Sequence, residues 1–99
     1  LFGKLTARIN WIPTEQGGKN RFPIRDYSTV AHFLEDDPEQ GWSVVLKIDA
    51  NPESYMSICD LSFLFPERIP KNLIHVGSKF MLFESKKVAD GEIIDIFSN

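Results

Sequence analysis

Cysteine is almost missing from this 99-residue chain. Cys59 stands alone, so it closes no internal disulfide, and its neighbours Ile58 and Leu61 point to a buried thiol in a reducing, cytoplasmic setting. Long apolar runs are missing too: none approaches the roughly 18–20 residues of a membrane span, and no leader-like charged-apolar-small pattern opens the chain. The chain begins at Leu1 rather than Met, which leaves room for a preceding segment. There is no basic excess. Eleven Lys and Arg face fourteen Asp and Glu, a formal charge of −3, whereas nucleic-acid binders usually draw their affinity from neutralising phosphates. That balance weighs against nucleic acid as the main partner and still permits a local basic patch. No Gly-x-x-x-x-Gly-Lys-Ser/Thr run is present, so no nucleotide is expected. Only His32 and His75 represent histidine, and neither has a Cys or a second His at metal-ligand spacing, so neither zinc nor another cofactor is expected.

What is present is a core. Apolar residues make up 42% of the chain and include eight Phe, enough for a folded domain rather than a disordered one. A chain this short buries roughly 60–70% of its unfolded surface, enough for one core with little room for an enclosed active site. We expect a single domain over residues 1–99.

The pattern of that core has period two. In residues 4–12, Leu5, Ala7, Ile9 and Trp11 share one face while Thr6, Arg8 and Asn10 share the other, as in a half-buried strand. A loop over 13–26 follows, holding Pro13, Gly17, Gly18 and Pro23. Residues 27–34 read as a second strand, and 35–41 as a turn. Strands follow at 42–49, with Trp42, Val44, Leu46 and Ile48 on one face, and at 55–65. The stretch 66–72, with Pro66 and Pro70, makes a connection with room for one helical turn. Residues 79–84 and 88–97 form a hairpin across Ser85, Lys86 and Lys87, and Gly91 inside its second arm suggests a bulge or a close backbone approach. Six short strands and no convincing amphipathic helix predict an all-β fold closed into a barrel, which removes exposed sheet edges.

Both ends of the chain resemble a known domain. The segment Ala7-Arg8-Ile9-Asn10-Trp11-Ile12 with Thr14-Glu15-Gln16-Gly17-Gly18-Lys19, and the closing Val76-Gly77-Ser78-Lys79-Phe80-Met81-Leu82-Phe83-Glu84 with Val88-Ala89-Asp90-Gly91-Glu92-Ile93-Ile94, resemble the opening and closing strands of the third domain of elongation factor Tu. The resemblance runs in order along nearly the whole chain and is strongest at its two ends. It implies a six-stranded antiparallel Greek-key β-barrel that performs no chemistry. In that family the barrel helps hold the T-stem of aminoacyl-tRNA and meets an exchange factor. Where the family continues Arg-His-Thr-Pro-Phe after its glycines, this chain reads Lys19-Asn20-Arg21-Phe22-Pro23, so only the basic position at Lys19 is kept.

Two stretches are candidate contact sites. In the opening loop, Gly17, Gly18, Lys19, Arg21, Phe22 and Arg25 offer three cations and an aromatic ring, a set able to follow an RNA backbone and stack a base. The plainer reading is a solvated loop whose cations Glu15 and Asp26 partly neutralise. The second stretch is the acidic turn Glu35, Asp36, Asp37 and Glu39, which could face a basic protein or collect a divalent ion. It lacks the alternating Asp pattern of a calcium loop, and again a solvated turn is the plainer reading. A dyad of Cys59 with His32 or His75 would form only in space, and an apolar strand would keep that thiol protonated. The expected function is therefore a non-catalytic binding module whose partner is a protein, with RNA contact through the Gly17-Gly18-Lys19 loop as the alternative.

Overall fold

Alternation decides where the strands form. The computed structural model describes residues 4–13, 25–48 and 55–97. The strands are β1 (Lys4–Trp11), β2 (Arg25–Phe33), β3 (Trp42–Ile48), β4 (Met56–Phe63), β5 (Lys79–Phe83) and β6 (Lys87–Phe97). They close into an all-antiparallel barrel in the order β1-β4-β3-β2-β5-β6. No α-helix occurs among the described residues. Leu5, Ala7, Ile9 and Trp11 all point inward, as do Val44, Leu46 and Ile48. Trp42 is half-buried at the start of its strand.

The barrel has two ends. At one lie the turn between β2 and β3, the connection from β4 to β5, the start of β1 and the end of β6. At the other lies the β5–β6 turn. The chain enters β2 earlier than the sequence suggests, because Arg25 and Asp26, expected in a loop, already pair with Ile48 and Lys47. β4 is shorter than the apolar run predicts. Its ladder stops at Phe63, and the Leu64 amide donates to the Ser43 carbonyl before Pro66 opens a 3-10 turn. The link to β5 holds two such turns, Pro66–Arg68 and Lys71–Leu73, rather than one. Gly77, with φ of 95°, then turns the chain toward β5, in the left-handed region that glycine enters without a steric penalty.

Three phenylalanines organise the interior. The Phe33 ring lies 5.1 Å from that of Phe80 and 6.0 Å from that of Phe63, both tilted, with Leu5, Leu46, Leu82 and Ile93 buried in the same core. β6 follows the curve of the barrel through two register shifts. Ile94 is the unpaired extra residue opposite Thr6 and Ala7, and Val88 the extra residue opposite Leu82 and Phe83. Such bulges bend a strand and increase its twist. Gly91 is not one of them; it is the close approach. A Cβ there would stand 2.3 Å from Phe80 Cε2 and 2.5 Å from Phe80 Cζ, so the missing side chain makes the space that the ring fills.

Gly91→Ala is accordingly expected to cost about 1–3 kcal/mol, the usual range for overpacking a filled core. Adding Phe80→Leu should recover part of that loss relative to the sum of the two single changes. Urea unfolding of the four proteins checks both statements, and an alanine variant as stable as the wild type would refute the packing account.

Candidate functional site

The opening-loop candidates divide at residue 25. Gly17, Gly18, Lys19, Arg21 and Phe22 lie outside the described residues, while the backbone of Arg25 begins β2 opposite Ile48.

The acidic turn is fully described, and the carboxylates of Glu35, Asp36 and Asp37 are engaged. Asp36 Oδ1 accepts the Asp37 amide at 2.8 Å and Asp36 Oδ2 accepts the Trp42 indole N–H at 3.0 Å. Asp37 Oδ1 accepts the Glu39 amide at 2.9 Å, and the Gln40 amide closes the turn on the Asp37 carbonyl. These are the local side-chain bonds by which aspartate shapes a turn. They hold the carboxylates along the chain rather than converging on a point, and no grouping fit to hold a metal ion occurs among the described residues.

Glu35 reaches across to another part of the fold. Its Oε1 lies 2.7 Å from His75 Nε2, and the other imidazole nitrogen, Nδ1, lies 3.1 Å from the Val76 carbonyl. With both ring nitrogens facing acceptors, the protonated imidazole is favoured. His75 is raised above its ordinary 6.5, first by the Val76 carbonyl and then by Glu35. His32 lies on the outer wall, its Nδ1 3.2 Å from the Pro38 carbonyl and its ring edge-on to Phe83 at 5.1 Å. Cys59 faces the opposite way, into the barrel, with Sγ 3.8 Å from the Ala7 carbonyl. Burial, helped by nearby Asp60, pushes its thiol up to about 12, so it stays protonated. Cys59 therefore points into the barrel while His32 lies on its outer wall.

Concavities on the outer surface include two that bear on the candidate residues. The larger, about 470 Å³, crosses the wall where Asp26, Lys47, Asp60 and Thr6 succeed one another on neighbouring strands, with Ile58 at its side. Opposite charges alternate there, which favours the sheet through cross-strand pairing. The smaller, about 250 Å³, lies beside Leu34, with Phe80 and Gly91 at its base and Asn10, Lys79, Asp90 and Glu92 around it.

Exposed apolar side chains supply a feature that the candidate stretches did not include. Of the nine large hydrophobics exposed among the described residues, Leu34, Leu64, Phe65, Val76 and Phe97 stand at one end of the barrel. Leu34, Leu64 and Val76 are each more than half exposed, and the Arg68 guanidinium lies 5.3 Å from the centre of the Phe65 ring. The signal was present in the period-two pattern. Ala31 and Phe33 point inward, so Leu34 continues the outward series, and Leu64 follows inward Phe63 in the same way. Compared with known proteins, the chain matches no family model and no curated protein.

Two measurements follow from these environments. Because His75 is raised in the folded state, its contribution to stability is fully present below pH 6.5 and is lost as pH rises through the folded value. An NMR titration should place His75 above 6.5, and Glu35→Gln should lower it only in part, since the Val76 carbonyl remains; a wild-type value at or below 6.5 would contradict the geometry. Cys59 should resist iodoacetamide in the native protein at mildly alkaline pH and react in denaturant. Rapid native labelling would show that the thiol is neither enclosed nor protonated.

Proposed function

We propose that this barrel is a non-catalytic binding module that works through protein contact. The observation that carries the reading is the gathering of Leu34, Leu64, Phe65, Val76 and Phe97 at one end of a fold whose core is already satisfied elsewhere. Single exposed aliphatics are ordinary, but several at one end of a small protein are a feature of interaction surfaces. Aromatic residues and arginine are enriched in such surfaces, and Phe65 with Arg68 supplies both.

The closed six-stranded antiparallel barrel supports the likeness to the third domain of elongation factor Tu. The order β1-β4-β3-β2, in which β1 joins a three-strand meander beside its last member, supports a Greek-key reading. In that likeness the barrel is a contact surface, which agrees with a module that binds rather than reacts.

Affinity capture from cell lysate, with and without ribonuclease, tests the reading. A retained protein should resist nuclease and be lost from a Leu64→Ser/Phe65→Ser variant, whose exposed positions leave the core intact. Retained material that disappears with nuclease would favour the RNA alternative and set the opening loop as the site to change.

A further inference from the structure

Leu34 and Val76 belong to connections 42 positions apart in sequence, yet two bonds bring their neighbourhoods together. The Leu34 amide donates to the Lys79 carbonyl at 3.0 Å, and Glu35 meets His75 at 2.7 Å. The result is one surface with two exposed aliphatic side chains, 57% and 60% accessible, and the 250 Å³ groove opening beside Leu34. The groove is walled mostly by polar and charged residues, Asn10, Lys79, Asp90 and Glu92, so the apolar contact offered to an anchor side chain comes from the exposed Leu34 at its edge and from the exposed Val76.

Charge decides what flanks the anchor. Around the groove the signs are balanced within the protein: Lys87 Nζ lies 2.8 Å from Asp90, and Arg8 lies 3.1 Å from Glu92. On the other side of Leu34 they are not. Glu35 has His75, but Asp36, Asp37 and Glu39 have no ion-pair partner among the described residues, and the donors to the two aspartates are neutral N–H groups. Among the described residues, the turn thus presents three carboxylates without an ion-pair partner next to the exposed Leu34.

We propose that Leu34, Val76 and the adjoining groove form the docking surface for a protein segment with an apolar anchor flanked by basic residues, the basic flank lying over Asp36, Asp37 and Glu39. The proposal rests on the protein-contact reading above and narrows it to one side of the barrel end and one partner chemistry. The turn's own hydrogen bonds hold the Asp36 and Asp37 carboxylates in place, so docking on them needs little ordering of the barrel, and preorganisation of this kind reduces the entropic cost of association.

The test titrates the isotope-labelled full chain with three short synthetic peptides, followed by NMR. The first has a leucine core between lysines, the second replaces the lysines with glutamates, and the third replaces the leucines with serines. The first should shift resonances of residues 34–39 and 76–79, and should bind about tenfold or more tightly than either of the others. Leu34→Ser or Val76→Ser, both at exposed positions and checked for an unchanged fold by the dispersion of the same spectra, should weaken it to a similar degree. Asp37→Asn/Glu39→Gln should weaken it and flatten its salt dependence. Equal binding of the glutamate peptide, shifts centred elsewhere, or no binding by any peptide overturns the proposal, as does self-association of the chain through this face. The two readings fail separately. A nuclease-resistant partner whose capture ignores Leu34→Ser and Val76→Ser leaves protein contact standing and ends this proposal, whereas the absence of any such partner removes protein contact itself.

Discussion

The pairing of β2 with β5 closes the barrel, and it is the shortest seam in it. Four register pairs, from Val30 with Phe83 to Phe33 with Phe80, join the two strands, against eight between β1 and β6. Both faces reinforce so short a seam. Inside, Phe33 and Phe80 pack together, and the Phe80 ring depends in turn on the space left by Gly91. Outside, the His32 ring meets Phe83. At one end Thr29 Oγ1 donates to the Phe83 carbonyl at 2.7 Å and the Tyr27 hydroxyl donates to Glu84. Partial burial, with the Glu84 carboxylate next in effect, drives the Tyr27 phenol above its ordinary range, so it remains a donor there at any ordinary pH. At the other end stand the Leu34–Lys79 backbone bond and the Glu35–His75 pair. Closure and the candidate docking surface are consequently linked, because the bonds that finish the seam are those that bring Leu34 to Val76.

Charges on the outer wall follow the strand register. Asp26, Lys47, Asp60 and Thr6 form one row across four strands, while Lys79, Glu92 and Arg8 form another across three. Alternating signs across neighbouring strands let a modest net charge coexist with many exposed ionic groups, since each sits beside its opposite. The acidic turn departs from this arrangement. It projects from the end of the β2–β3 hairpin, and while Glu35 meets His75, Asp36, Asp37 and Glu39 have no ion-pair partner among the described residues. A wall that balances its charge and an end that does not give the molecule a directional surface even though its overall charge is small.

Much of this architecture was legible in the residues, and the failures have physical reasons. Leu5, Ala7, Ile9 and Trp11 announce a strand because period two is the direct consequence of pleating. Closure was legible too, as the way six short strands avoid open edges. The start of β2 was not, because Arg25 and Asp26 are polar and follow closely on Pro23 in sequence; they join the sheet through backbone pairing with β3, which side-chain pattern does not encode. Gly91 could be marked as unusual, but only the position of Phe80 distinguishes close approach from bulge. The acidic turn was picked out by composition, whereas its neighbours Leu34 and Val76 were not. Exposure of an aliphatic residue depends on where a strand stops, and strand ends are set by turn hydrogen bonds such as Asp36 to Trp42 rather than by hydropathy.

The same bonds decide between the two chemistries open to the acidic turn. A hard divalent ion needs several oxygens turned toward one point at about 2.0–2.6 Å. Gathering Asp36 and Asp37 around an ion would withdraw them from the Trp42 indole and from the amides of Asp37 and Glu39, leaving those donors to find other partners. The half-buried Trp42 N–H makes that exchange unfavourable, since a donor shielded from water costs more to leave unsatisfied than an exposed one. A basic segment asks for none of it, because a lysine or arginine can approach the outer lone pairs while every existing bond is kept. Bonded Asp36 and Asp37 carboxylates beside the exposed Leu34 thus suit a basic segment better than an ion, and the distinction comes from the bonds that shape the turn rather than from the number of its charges.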